Sequence, residues 1–174
     1  MRPFVFVLSA VAVAVGARAE VIDSQPGGFT VSRTLPVAAP VAKVWSVLTT
    51  PSAWWDPEHS YSHDAKNMTL DLRPGGLWIE KLPGGGVVHM TVVYSVPNRA
   101  LRLEGALGPL QSMGVQGHLT FALSEKDEIT TLTETYDVGG HAPGGLDKLA
   151  APVDGVLTQQ MHRLKRVVET GNPN

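Results

Sequence analysis

The feature that most constrains the fold is a run of β-prone segments between residues 68 and 138, each ending at a turn signal. Val, Ile, Leu, Thr and aromatic residues fill the segments, and Pro-Gly, Pro-Asn, Gly-Pro or Lys-Asp pairs separate them. Such residues favour strands and such pairs favour tight turns. Because the links are short, successive strands are expected to pair as an antiparallel meander. The predicted strands are 68–72, 77–82, 87–96, 100–106, 116–123 and 129–138.

Another strand and two short helices are predicted before the meander. Apolar and polar residues alternate over 28–36 until Pro36, which is typical of a strand. A helix is predicted after Pro40, because apolar residues recur there at intervals of three and four: Val41, Val44, Trp45 and Leu48. A second helical turn, capped by Ser52, is expected to end before Pro57.

The C-terminal segment 146–170 carries one largely apolar helical face, which predicts a long helix. Pro152 lies within it, so a kink or a broken first turn is expected there. The predicted order is therefore β-α-α-β6-α. This order describes an α+β domain with a seven-stranded antiparallel sheet and a long C-terminal helix.

The first 19 residues are typical of a secretory signal peptide. Arg2 is followed by a mostly apolar run over 4–15 and then by small residues up to Ala19. Cleavage after Ala19 is expected, which places the protein in the periplasm or the medium. The apolar run is shorter than the roughly twenty residues that cross a membrane, so no retained membrane span is predicted. An uncleaved N-terminal anchor is the alternative, because Arg2 and the terminal amine are the only basic groups before the apolar run.

Removing residues 1–19 leaves a chain that can bury one sizeable core. Residues 20–27 are interpreted as a flexible leader, 28–170 as the domain and 171–174 as a tail. The chain has no cysteine, which excludes disulfides, a thiolate nucleophile and cysteine-based zinc sites. Its formal net charge of −2 disfavours nucleic acid as a partner. No cofactor is predicted.

Four short stretches add a family resemblance to this order of elements. The stretches lie at 54–59, 73–76, 107–111 and 136–140. They resemble bacterial members of the SRPBCC or START-like (helix-grip) superfamily. Within it, they are most similar to the group of homologues of the heat-shock ATPase activator. The resemblance covers residues 28–170. It implies a curved sheet that grips the long helix, with an internal cavity for an apolar or amphipathic small molecule. It implies no particular reaction.

The last predicted strand contains a conflict between pattern and chemistry. Leu132 sets its inward face, and alternation brings Glu134 and Tyr136 to the same face. A buried carboxylate and a buried phenol are costly unless they form hydrogen bonds. Glu134 is therefore expected to have a raised pKa and to act as an acid, a base or a ligand acceptor. The alternative is a bulge or a one-residue register shift that turns Glu134 to solvent.

On two further strands the residue pattern does not decide which residues face inward. Either Trp78 and Glu80 face inward, or the residues next to Trp78 in the sequence do. Likewise, His89 enters the cavity in one register and lies at the surface in the register that buries Met90.

Acidic and histidine residues over 56–64 raise the question of a metal site. His59 and His63 are four residues apart, but the segment between them does not favour a helix, and no His-Glu-x-x-His motif is present. A solvated polar loop, with His59 at the mouth of the cavity, is the preferred interpretation. No metal is predicted.

Aromatic, methionine and leucine side chains are candidates for the cavity wall, although each of them could instead pack in a core without any ligand. The candidate ligand-binding residues are Trp54, Trp55, His59, Trp78, His89, Met113, Glu134, Tyr136, Leu157 and Met161.

Three functional hypotheses follow. The first is an exported protein that holds an apolar or amphipathic small molecule. The second is a cyclase- or hydrolase-like enzyme, which requires Glu134, Tyr136 and His59 or His89 to converge on one point of the cavity. The third is a protein-interaction or stress-related module with a filled interior and an exposed apolar patch.

Overall fold

The structure is a computed structural model that describes residues 18–174, with side chains from Glu20 onward. Most of the predicted signal peptide, residues 1–17, lies outside the described residues. Within the described part of the chain, no helix is both long enough and apolar enough to span a bilayer.

The described residues form one antiparallel sheet and two α-helices. The strands are β1 (Arg18–Gln25), β2 (Gly28–Val37), β3 (Met68–Leu70), β4 (Leu77–Leu82), β5 (Gly85–Val96), β6 (Ala100–Glu104), β7 (Gly114–Lys126) and β8 (Ile129–His141). The helices are α1 (Val41–Leu48) and α2 (Asp147–Thr170), with short 3-10 helices at Pro51–Ala53, Pro57–His59, Ala65–Asn67 and Gly108–Ser112. The strand order across the sheet is β1-β2-β8-β7-β6-β5-β4-β3. This arrangement confirms the predicted α+β helix-grip fold.

The sheet has eight strands in the structure rather than the seven predicted. Residues 20–25, interpreted as a flexible leader, belong to β1 and pair antiparallel with β2. The turn that joins the two strands also contacts the long helix, since the backbone amide of Leu146 donates to the Pro26 carbonyl at 2.9 Å. Little in the residue pattern indicates this edge strand, because main-chain hydrogen bonds hold it and it needs no apolar alternation.

The long helix α2 packs against β1, β2 and α1. The helix is continuous through Pro152 and does not break there. It ends at Gly171, whose φ of 80° is the left-handed conformation that glycine adopts readily and whose amide donates to the Val167 carbonyl. The buried face of α2 consists of Ala150, Leu157, Gln160, Met161, Leu164 and Val168.

The strand β2 alternates strictly between buried and more exposed residues, and the neighbouring strand β8 does so up to Val138. Leu132, Glu134 and Tyr136 are all buried, which confirms the inward face predicted for the last strand. Arg33 on β2 lies directly opposite Glu134 in the antiparallel register. The pairing therefore brings a buried cation to the buried carboxylate.

A β-bulge in β5 decides which residues of β4 and β5 face inward. Trp78 pairs with Met90 and Ile79 pairs with Val88, so His89 is an extra residue without a partner opposite it on β4. As a result, His89 and Met90 are both buried, although they are neighbours in the sequence. On β4, Trp78 and the residue two positions further, Glu80, are the buried pair.

Candidate functional site

A cavity of about 490 Å³ lies between α2 and the loop 105–113 that joins β6 to β7. Its α2 wall is entirely apolar and consists of Leu149, Pro152, Val153, Val156 and Leu157. The loop contributes Leu107, Gly108, Pro109, Leu110 and Met113. The volume falls within the range of pockets that hold small organic molecules.

Polar groups enter the cavity from two other parts of the chain. The segment after α1 contributes Trp55, Glu58, His59, Ser60 and Tyr61, and the bulge in β5 contributes His89. An apolar cavity with a few polar groups suits an amphipathic molecule, because the walls bury its apolar part and the polar groups orient it.

The structure places five of the ten candidate residues on the cavity wall: Trp55, His59, His89, Met113 and Leu157. The other five are buried outside the lining: Trp54, Trp78, Glu134, Tyr136 and Met161. Two of these buried residues support the wall. The Trp55 ring packs edge-on against Trp54 at 5.4 Å and against Trp78 at 4.9 Å between ring centroids.

His89 forms a buried pair with Glu80, the residue behind it on β4. The distance from His89 Nε2 to Glu80 Oε2 is 3.0 Å, and both side chains are at most 4% exposed. The backbone amides of Tyr61 and Ser62 also donate to this carboxylate. The β4–β5 ladder and the segment after α1 therefore hold the pair together from two sides.

These contacts set the ionisation of both groups. Burial raises the pKa of Glu80, but the hydrogen bonds from Ser62, Tyr61 and His89 outweigh it, so the pKa lies below its ordinary value. Burial lowers the pKa of His89, and the Glu80 carboxylate offsets only part of that effect. At neutral pH the pair is therefore an ionised carboxylate and a neutral imidazole.

His59 has its own supporting residue on α2. Its Nδ1 lies 3.3 Å from the Nε2 atom of Gln160, a residue of the buried helix face. The Oε1 atom of Gln160 accepts from the backbone amide of Asp56 at 2.8 Å, which fixes the orientation of the side-chain amide. The His59 side chain is 34% exposed, as expected for a group at the mouth of the cavity.

Glu134 belongs to a different cluster, beneath α2. Arg33 donates to Glu134 through Nη1 and to Asp154 on α2 through Nη2, the latter at 2.6 Å. Burial raises the pKa of Glu134 to about 7, although Arg33 acts in the opposite direction. The predicted raised pKa is thus confirmed, but the carboxylate faces an arginine and does not line the cavity.

Tyr136 is fully buried and holds the loop of the cavity in place. Its hydroxyl accepts from the Leu107 amide at 3.0 Å and donates to the Gly105 carbonyl at 3.2 Å. Burial raises its pKa to about 12, so the hydroxyl keeps its proton. A Cβ at Gly117 would lie 2.6 Å from the Tyr136 ring, so glycine is required there. Tyr136 therefore supports the wall and is not a part of it.

Two acidic residues of the segment 56–64, Asp56 and Asp64, have structural partners. Asp56 accepts from the Glu58 amide at 3.1 Å, and Asp64 accepts from the Lys66 amide at 3.0 Å, so each caps a 3-10 helix. No group of three or more potential metal ligands occurs among residues 18–174.

Sequence patterns alone do not identify the partners of the candidate residues. Alternation leaves Glu80 on one of two possible faces of its strand, and it gives Arg33 no partner. Gln160 is a polar residue on an otherwise apolar helix face. Such a position indicates a buried side chain that forms hydrogen bonds.

Solved structures with the same fold share little sequence with this chain. CalU16 from Micromonospora echinospora is 17% identical, with a TM-score of 0.60 over 91% of this chain and 86% of its own. The Aha1 dimer from Colwellia psychrerythraea is 20% identical, with a TM-score of 0.55 over 82% and 97%. A conserved protein of unknown function from Enterococcus faecalis, EF2215, is 16% identical, with a TM-score of 0.58 over 91% and 80%.

At these identities the likeness shows the fold alone. No curated protein matches the sequence. The model of one family, described as polyketide cyclase / dehydrase and lipid transport, matches residues 28–169, which is nearly all of the predicted domain. The chain therefore belongs to this family and, with it, to the SRPBCC helix-grip superfamily that its sequence resembles.

Proposed function

We propose that the protein binds an apolar or amphipathic small molecule in the cavity between α2 and the loop 105–113, after export to the periplasm or the medium. The observation that carries this proposal is the cavity itself, which has an apolar helix wall and a few polar groups brought in by His59, Tyr61 and His89. The family description, which includes lipid transport, supports a ligand of this kind.

Export is supported by the order of basic, apolar and small residues at the N-terminus. Expression of the full chain in a bacterial host, followed by osmotic shock and intact-mass measurement, tests it. A periplasmic protein that begins at Glu20 is the expected product. Full-length protein in the membrane fraction would contradict export with cleavage and favour the uncleaved anchor.

Native mass spectrometry of the protein purified from its own compartment tests the binding function. Val156 lines the cavity, so Val156→Trp should fill part of it and displace a bound molecule. Val167 provides a matched control. It lies 11 residues further along the same helix, on the same face, and packs against the core without lining the cavity.

The expected result is a bound small molecule in the wild type and in Val167→Trp but not in Val156→Trp. Equal occupancy in the two variants would show that the molecule binds elsewhere. A wild type that carries nothing and takes up no apolar probe, such as 2-naphthol, would overturn the proposal.

Proton transfer on a bound substrate is a second candidate function. Glu134 and Tyr136 do not line the cavity, so the enzyme hypothesis loses two of its residues. His89 does line it and is held by an ionised carboxylate, the arrangement of a general base. Deuterium exchange into 2-tetralone, followed by NMR with wild type and His89→Phe, tests this function. Exchange no faster than in buffer would exclude it for ketones of this size.

The interaction-module hypothesis expects a filled interior. A cavity of about 490 Å³ argues against that expectation.

A further inference from the structure

The two histidines that line the cavity differ in the ring nitrogen that is left free for a ligand. An ionised carboxylate can only accept hydrogen bonds, so the contact with Glu80 requires His89 to carry its proton on Nε2. The other nitrogen of the neutral ring, Nδ1, is then an acceptor. No residue in the described part of the chain donates to that atom.

His59 is oriented in the opposite sense. Because the Gln160 oxygen is taken up by the Asp56 amide, its NH2 group faces His59 Nδ1 at 3.3 Å and donates to it. The Asp56 carboxylate lies 3.9 Å from the same nitrogen, beyond hydrogen-bonding distance. His59 therefore carries its proton on Nε2, and this N–H is the donor that remains for a ligand.

The charge around the cavity excludes one class of ligand. None of the described residues that line it is a lysine or an arginine, whereas Glu58 lies on the wall and the ionised Glu80 lies directly behind His89. An anionic head group would therefore lose its hydration without gaining a cation.

We propose that the cavity takes an uncharged amphipathic ligand whose polar part donates a hydrogen bond to His89 Nδ1 and accepts one from His59 Nε2, as a hydroxyl group does. This inference rests on the proposed function and adds to it the chemical class of the ligand. The lowered pKa of His89 supports it, since the acceptor nitrogen then stays unprotonated at neutral pH.

Isothermal titration calorimetry at neutral pH with three probes of one shape tests the inference. The probes are 2-naphthol, which donates and accepts; 2-methoxynaphthalene, which only accepts; and 2-naphthoate, which is anionic. One hydrogen bond lost should weaken binding by about two- to tenfold, so 2-naphthol should bind more tightly than the ether by that factor. The naphthoate should bind about tenfold or more weakly than 2-naphthol.

His89→Phe removes the acceptor and keeps a ring of similar size. In this variant 2-naphthol and 2-methoxynaphthalene should bind equally well. His118→Phe is the matched control, because His118 is an exposed histidine of β7 that does not line the cavity. It should keep the wild-type preference.

Nitrogen-15 NMR of the histidine rings supplies a readout that needs no variant. His89 should be neutral, with the proton on Nε2 and a bare Nδ1, and Nε2 of His59 should carry a proton. A proton on His89 Nδ1 would overturn the inference, and so would equal binding of 2-naphthol and its ether by the wild type. If none of the three probes binds, the proposed function fails and this inference fails with it, whereas binding without preference sinks the inference alone.

Discussion

The protein contains two buried carboxylates that face a basic side chain from a neighbouring strand, and the two behave in opposite ways. Burial raises the pKa of Glu134, which meets Arg33, to about 7. The pKa of Glu80, which meets His89, lies below its ordinary value. Both side chains are almost completely inaccessible to solvent, but burial outweighs the hydrogen bonds only at Glu134.

The two carboxylates also differ in the number of hydrogen bonds that each receives. Glu80 accepts from two backbone amides of the segment after α1 as well as from His89. Glu134 accepts from Arg33 alone among the described side chains, and Arg33 is shared with Asp154. Backbone amides at fixed positions help Glu80 to keep its charge, whereas the single cation that Glu134 shares with Asp154 does not offset the burial of Glu134.

Removal of Arg33 should have the largest effect on this comparison. Arg33→Met leaves Glu134 buried without a cation, which should lower the free energy of unfolding at pH 8 by about 3–5 kcal/mol. At pH 5 the loss should be smaller, because Glu134 is then protonated. Urea denaturation at both pH values measures it. Arg102→Met, an exposed arginine of β6, is the control, and a loss independent of pH would contradict the raised pKa of Glu134.

Glu134→Gln should remove a pH dependence of up to about 3 kcal/mol. The pKa of Glu134 is about 7 in the fold and near 4.5 in the unfolded chain, so raising the pH through this range lowers the stability of the wild type. The difference in unfolding free energy, wild type minus variant, should therefore fall between pH 4.5 and 7. A difference that rises with pH would mean that Arg33 outweighs burial.

His89→Phe should give a slope of the opposite sign. Burial lowers the pKa of His89, so the unfolded chain takes up a proton first as the pH falls below the ordinary value of 6.5. Above that pH the free energy of unfolding of the wild type should exceed that of the variant by about 1–2 kcal/mol. This difference should shrink as the pH falls. Denaturant titrations from pH 5 to 8 measure it. Parallel slopes for this variant and Glu134→Gln would erase the distinction between the two pairs.

Tyr136→Phe should have the smallest effect, about 1 kcal/mol, because it leaves the Leu107 amide and the Gly105 carbonyl without their partner. No pH dependence is expected below pH 9, since the pKa of the hydroxyl is raised to about 12. Ligand affinity should fall slightly through the loosened loop, while the preference among probes stays the same. Tyr94→Phe, at an exposed position of β5, should change neither quantity.

Local patterns predicted most of the fold. The period of two on β8 placed Glu134 and Tyr136 inside, and the apolar spacing of 146–170 gave α2 to within a residue. Main-chain pairing at a polar edge and a bulge leave almost no trace in such a pattern, so β1 and the joint burial of His89 and Met90 were missed. The partners Arg33 and Gln160 depend on contacts between distant segments, and the contact of Glu80 with His89 depends on the bulge in β5; no local period encodes either.

Because of the bulge, the residue at position 89 does not take part in the pairing of β5 with β4. The ladder on either side of it is set by Trp78 with Met90 and by Ile79 with Val88, and residue 89 contributes to neither pair. Its side chain can therefore change without moving the register of β4 and β5. Under the proposed function, a single substitution at position 89 would change the ligand preference, while the equivalent change at position 134 would disturb the core.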